Sequence, residues 1–150
     1  MKVVKMLIVV VMMCLSSGCF LLEQDELMVC DYGGGVSYEV TYLGDSIHTI
    51  KIVHDNDLSM FEQATKEQKI DDYRKEVDEH NKVKGLKAEL IIDKDLVMLV
   101  IDVDIHIYDI DEDEYSIFSI DFEEDDFDTP KRIRDKLDSN NFQCDPIVNE

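Results

Sequence analysis

Four cysteines, four histidines and two dense runs of carboxylates are the groups in this chain that could do chemistry. Cys19 closes the stretch LSSGC (15–19), with an apolar run from Met6 to Leu15 before it and an acidic segment after it. A thiol placed there can take diacylglycerol as a thioether before a peptidase cuts in front of it. Ser16, Ser17 and Gly18 offer that peptidase an unhindered extended backbone. Lys2 and Lys5 precede the apolar run, which is too short to span a bilayer comfortably, so residues 1–18 have the three-part build of a secretory signal. The expectation is a processed chain that begins at a lipidated Cys19. Two other readings use the same residues: a signal cleaved without lipid, and an uncleaved anchor continuing through Phe20 to Leu22. LSSGC has the form of a lipobox, but Ser16 stands three residues before the cysteine and Leu15 one place further out. Cys14 has no small residues before it and is a spectator.

If Cys14 leaves with the signal and Cys19 carries lipid, Cys30 and Cys144 are the thiols left in the exported part. Outside the cytosol no reducing system opposes a bridge between them. Cys30 precedes the first clear strand pattern and Cys144 follows the last helix pattern, so a bridge would fasten both chain ends. It requires Cα atoms within roughly 4.4 to 6.8 Å. The alternative is two free thiols held apart by the fold.

His48, His54, His80 and His106 form no i, i+3 or i, i+4 pair and have no cysteine close in sequence. A zinc site would need long-range convergence, so no metal ligand is expected. His48 and His54 alternate with Ile50 and Ile52 and read as partly buried side chains with ordinary partners. No G-x-S-x-G turn marks a serine nucleophile, and neither a catalytic residue nor a cofactor is expected. Gly33, Gly34 and Gly35 lack the spaced glycines, lysine and following helix of a phosphate-cradling loop, and read as a turn or flexible tether. DIDEDE (109–114) and DFEEDDFD (121–128) offer closely spaced oxygens without the turn glycine and spacing of a calcium loop. Weak, unspecific binding of divalent cations is the most they support; solvated turn acids are the simpler reading.

The elements that must position these groups follow from periodicity. VSYEVTYLG and SIHTIKIVH alternate with period two around Gly44-Asp45 and predict a hairpin. After Asp57 the period lengthens: Phe61, Ala64, Ile70, Tyr73 and Val77 form one stripe of a helix, with Ser59 and Glu62 as a capping box and Gly85 as its stop. LKAELIIDKDLVMLVIDVDIHIYDI predicts a second hairpin bending at Asp93, Lys94 and Asp95. In it Leu99, Ile101, Val103, Ile105 and Ile107 face inward, while Asp102, Asp104, His106 and Tyr108 face outward. YSIFSIDF predicts a further strand. TPKRIRDKLDSNNF predicts a second helix with Thr129 as N-cap, Pro130 at the first position and a left-handed exit at Asn140-Asn141. The expected fold class is α+β: an antiparallel sheet of about five strands, two hairpins plus a further strand, packed against two helices in two layers. The expected organisation is a signal over 1–18, a lipid-anchored tether over 19–29 and a single domain over 30–150.

Thirty-five acidic and 15 basic residues give a formal charge of −20, and loss of residues 1–18 removes two lysines and no acid. Such a surface repels nucleic-acid phosphates and anionic headgroups, so nucleic acid is not an expected partner. Membrane attachment would rest on the two acyl chains of a diacylglycerol on Cys19. An apolar fraction of 45% is too high for a disordered acidic tail.

The order of lipobox, TYLGDSIHTIKI hairpin, charged helix running into VKGLKAEL, strand LVMLVIDVDI and terminal LDSNNFQC resembles the YehR-like family of small bacterial lipoproteins. The resemblance runs from about Cys30 to Cys144 and rests on YLGD, on KG before the third strand and on NF-x-C near the end. It implies a small α+β lipoprotein domain of uncharacterised function and carries over no catalytic residue. DEDEYSIFSIDFEEDDFD departs from it in composition. The function expected is that of a non-enzymatic interaction or accessory module, lipid-anchored on the extracytoplasmic side of the cell membrane, that meets another envelope protein or a wall polymer. The alternative is an envelope protein that binds a small ligand or divalent cation in a cleft between sheet and helices.

Overall fold

The structure is a computed structural model and describes residues 25–110 and 117–145. The signal over 1–18, Cys14, Cys19, Phe20 to Leu22 and residues 111–114 of DIDEDE lie outside the described residues.

Within them the alternating segments form one antiparallel sheet: β1 (Glu26–Asp31), β2 (Val36–Leu43), β3 (Ser46–Asp57), β4 (Leu86–Asp93), β5 (Leu96–Val103) and the short β6 (Gln143–Cys144). The spatial order is β4-β5-β3-β2-β1-β6. Helices α1 (Gln63–His80) and α2 (Pro130–Ser139) and a 3₁₀ turn at Glu124–Phe127 complete the α+β fold. Inward residues of the strands, among them Tyr38, Val40, Ile50, Ile52, Ile101 and Val103, join Ile133 and Leu137 of α2 and the half-buried Val77 of α1 in one core. The opposite sheet face carries a ladder of alternating charge, Glu39, Lys51, Asp102 and Lys87, in register across β2, β3, β5 and β4. Lys51 Nζ lies 3.1 Å from Glu39 Oε2. Slipping a strand by one residue would put these charges into the core, so the ladder and the apolar face specify the same register.

Two elements differ from the sequence reading. The sheet starts at Glu26, so residues 26–29 belong to it rather than to a tether: Met28 and Cys30 point inward and pair opposite Val40 and Tyr38. The expected strand YSIFSIDF is irregular over residues 117–123, and its first two residues lie outside the described ones. Ile117, Phe118 and Phe122 are all buried, which strict alternation forbids. Phe118 instead packs against Phe122, Phe127 and Tyr108, with ring centroids 5.0, 5.5 and 6.0 Å away. Aromatic packing has overridden a period-two pattern.

The second hairpin forms as expected around Asp93–Asp95, but β5 ends at Val103. Asp104 turns the chain: its carbonyl accepts from the N–H groups of Ile107 and Tyr108, and its carboxylate from the N–H of His106. Ile107 is therefore exposed and Tyr108 half-buried, the reverse of the expected facing. The capping box at Ser59 and Glu62 is absent. The Ser59 N–H binds the Asp57 carboxylate, α1 begins at Gln63, and Phe61 and Ala64 stay exposed. Gly85 does not stop α1, which ends at His80. At φ +87° it lets the Tyr108 backbone approach to where a Cβ would meet it at 2.6 Å. α2 follows the sequence closely: Thr129 Oγ1 accepts from the Arg132 N–H, Pro130 opens the helix and Asn141 exits at φ +69°.

Candidate functional site

Cys30 and Cys144 are disulfide-bonded across a sequence separation of 114 residues. They are direct cross-strand partners of β1 and β6, so their Cα atoms lie 3.9 Å apart, closer than the range expected from the sequence. The Asp145 N–H donates to the Val29 carbonyl at 2.9 Å and extends this pairing by one step. The bridge thus ties the first strand of the sheet to the segment leaving α2.

Counting outward from the bridge in antiparallel register, Asp31 faces Gln143, and the next residues are Tyr32 and Phe142. Their rings meet at 5.1 Å. They border a concavity of about 390 Å³, whose wall also holds Val36, Ser119, Asn140 and Asn141. Each wall is fixed from behind. The Tyr32 N–H donates to the Val36 carbonyl at 3.1 Å across the glycine turn. That turn needs its last glycine: Gly35 has φ +82°, and a Cβ there would lie 2.4 Å from the Asp55 carbonyl oxygen. The buried Tyr38 hydroxyl lies 2.8 Å from Ser119 Oγ and accepts from the Ser119 N–H at 3.1 Å. Asn140 Nδ2 donates to the Lys136 carbonyl, which leaves its Oδ1 toward other donors.

A second concavity, of about 960 Å³, lies at the other end of the sheet between the β2–β3 turn at Asp45, the Ile105–Ile110 segment and the 3₁₀ turn. It is rimmed by Asp45, Asp109, Glu124 and Asp128. Three of the six acids of DFEEDDFD pair with the cations of α2: Asp126 Oδ2 lies 3.0 Å from Lys136 Nζ, and Arg132 Nη1 lies 3.1 Å from Asp128 Oδ2 and 3.8 Å from Asp125 Oδ2 while donating to the Asp125 carbonyl. Burial pushes the Asp126 carboxyl up, but the bonds from the Glu123 N–H and Lys136 outweigh it and hold the group below its usual value. Among the described residues no three His, Cys, Asp or Glu side chains are placed to hold a metal ion.

The histidines separate. A bulge on β3 pairs Thr41 with Thr49 and Tyr42 with Ile47, so His48 is an extra residue; its Nδ1 lies 3.1 Å from Asp25. His106 sits in the turn after β5. His54 lies on the inward row between Val36 and Leu99, close enough to Glu76 and His80 of α1 to feel their charges. The α1 residues Glu76 and His80 meet at 3.5 Å, and His80 is only 5% exposed. The hydrogen bond with His80, reinforced by the nearby imidazoles, holds the Glu76 carboxyl below its usual value. Burial pushes His54 down, although Glu76 opposes the shift. Nothing in the spacing of His54 and His80 signals this cluster, because it forms only when α1 docks on the sheet.

Comparison with family models, with curated proteins and with solved structures finds no match to this chain. Among the described residues no helix is long and apolar enough to cross a membrane.

Proposed function

We propose that this chain is a lipid-anchored module of the cell envelope that works by contact rather than catalysis, held on the extracytoplasmic side by diacylglycerol on Cys19. The build of residues 1–19 supports the anchor, as does the resemblance to the YehR-like lipoproteins. Seven residue steps from Cys19 to Glu26 reach at most about 25 Å, so the start of β1 and the β2–β3 turn beside it would face the bilayer.

The observation that carries the contact reading is at the opposite end of the sheet, about 33 Å further along β3 from Ile47 to Asp57. There β4 is the outer strand. Its edge is covered at Ala88, whose N–H and carbonyl both bond the Asn81 side chain at 2.8 and 2.9 Å. Leu90 and Ile92, of the same parity, make no such bond to a described residue. Ile92 itself is exposed, as are its neighbours Ile91 and Leu96, and the segment bearing exposed Met60 and Phe61 is tied to the turn through the Leu58 N–H and Asp95 carbonyl. An open edge with apolar side chains on it suits an extended segment of another envelope protein, added as a further strand.

Labelled fatty acid should enter the native chain and not Cys19→Ala; label surviving the substitution sinks the anchor. A photo-crosslinker at Ile92 should give a discrete protein adduct in native membranes, and one at Lys51 on the charged face should not. Equal yields from both positions would sink the edge. The uncharged concavity beside the disulfide supports a second reading, in which the same anchored domain holds a small ligand.

A further inference from the structure

We propose that the concavity beside the Cys30–Cys144 bridge binds a neutral pyranose sugar, with Tyr32 as the stacking platform and the amides of Asn140 and Asn141 as hydroxyl partners. The proposal deepens the second reading above and rests on it.

The lining is neutral. One third of the chain is charged, yet among the described residues no side chain lining this concavity carries a charge. A phosphate, a uronate or a cationic ligand would find no counter-charge here, while an uncharged polar ligand loses nothing by that.

An aromatic face and two amides meet at this concavity. A pyranose presents a face of C–H groups and a rim of hydroxyls that both donate and accept. Tyr32 is 54% exposed although Phe142 packs against its ring, so a large aromatic surface remains for the C–H face. An amide supplies a donor and an acceptor side by side, which matches two neighbouring hydroxyls. Asn140 has its Oδ1 to offer, Asn141 its whole exposed amide, and Ser119 its hydroxyl. The apolar side chains of Val36 and Ile120 give the methyl of an acetamido substituent a place to rest.

Size and rigidity also suit a sugar. About 390 Å³ lies near the lower bound of roughly 300 to 1,000 Å³ for ligand sites, fitting a short oligosaccharide rather than a large cofactor. The walls are preorganised by the disulfide, the Gly35 turn and the Tyr38–Ser119 contact, so little ordering cost falls on binding.

The test is calorimetric titration of the full-length protein in detergent with chitotriose and cellotriose as neutral probes and trigalacturonate as the charged one. Expected is saturable binding of at least one neutral probe, at least tenfold weaker binding of trigalacturonate, and a tenfold or greater loss in both Tyr32→Ala and Asn141→Gly. The glycine suits the positive φ at 141, and an unchanged urea midpoint shows that each variant is folded. No binding of either neutral probe at tens of millimolar, equal binding of trigalacturonate, or undiminished binding in both folded variants would overturn the proposal. Sugar binding lost with fatty-acid labelling intact refutes the site alone; labelling lost with sugar binding intact refutes the anchor alone.

Discussion

Opening the Cys30–Cys144 bridge should cost the domain much stability without abolishing its fold. The closed loop spans 114 residues, and the chain-entropy relation assigns its release about 16 cal/mol/K, or about 5 kcal/mol at 25 °C, all gained by the unfolded chain. The native side changes little. β6 has only two residues, but α2 and its exit bury Ile133, Leu137 and Phe142, each worth about 1.5 to 3 kcal/mol. That burial keeps the segment docked when the bridge is open. With a urea dependence of about 1.5 kcal/mol/M for a domain of this size, the midpoint should fall by about 3 M. The denaturant slope should rise, because the unfolded chain can expand further. Urea titration of the oxidised chain, the reduced chain and Cys144→Ala, followed by far-ultraviolet circular dichroism, reads all three quantities. Cys144 is the better position to change, since Cys30 is fully buried. A midpoint shift under about 0.7 M, which is about 1 kcal/mol, would show that the bridge does not restrict the unfolded chain in this way, as would two alkylatable thiols in the non-reduced domain.

Gly35→Ala should destabilise by about 2 to 4 kcal/mol, because a left-handed alanine costs roughly 1 to 2 kcal/mol and the Asp55 carbonyl must also retreat. Gly33→Ala shares the positive φ but meets nothing within 4 Å, so it should cost only the first part; equal losses in urea titrations would exclude the close approach. Stability should also fall on acidification. His54 is held neutral by burial, so its contribution is complete above the usual 6.5 and is lost as pH drops from there toward its depressed value. Glu76, held ionised by His80, loses its contribution at lower pH still, below the ordinary carboxylate range. Urea midpoints of His54→Gln should therefore be flatter than those of the native chain as pH falls below about 6.5; parallel curves would show that His54 does not titrate with folding.

Where local chemistry and burial agree, the fold is legible in the residues. The β2–β3 hairpin declares itself by alternation around Gly44-Asp45, and α2 by Thr129, Pro130 and Asn141, because each of those residues satisfies a backbone requirement within a few positions. Long-range packing is not written that way. ELMVCD is short and follows a signal-like segment, so its membership of the sheet depends on β2, which offers Val40 and Tyr38 as partners for Met28 and Cys30. YSIFSIDF alternates well enough to read as a strand, yet the core takes Phe118 and Phe122 as a wedge instead, a choice decided by Tyr38, Tyr108 and Phe127 from three separate segments. The Gly85 stop fails for the same reason: the contact that needs the glycine is with Tyr108, more than twenty residues away.

The candidate site divides along the same line. The pairing of Cys30 with Cys144 could be reached by counting thiols, since the expected signal and the proposed lipid would account for the other two. Its consequence could not be counted. Only when the two cysteines become direct partners in antiparallel register does Tyr32, two residues after one, come to face Phe142, two residues before the other. The glycine turn then holds the tyrosine, and the buried Tyr38 holds Ser119 on the facing wall. A covalent staple that a stability argument would assign wholly to the unfolded chain thereby also sets the geometry of an uncharged concavity on this acidic protein. Reduction should therefore weaken any ligand there by loosening the alignment of Tyr32 with Phe142, even while α2 stays docked through Ile133 and Leu137.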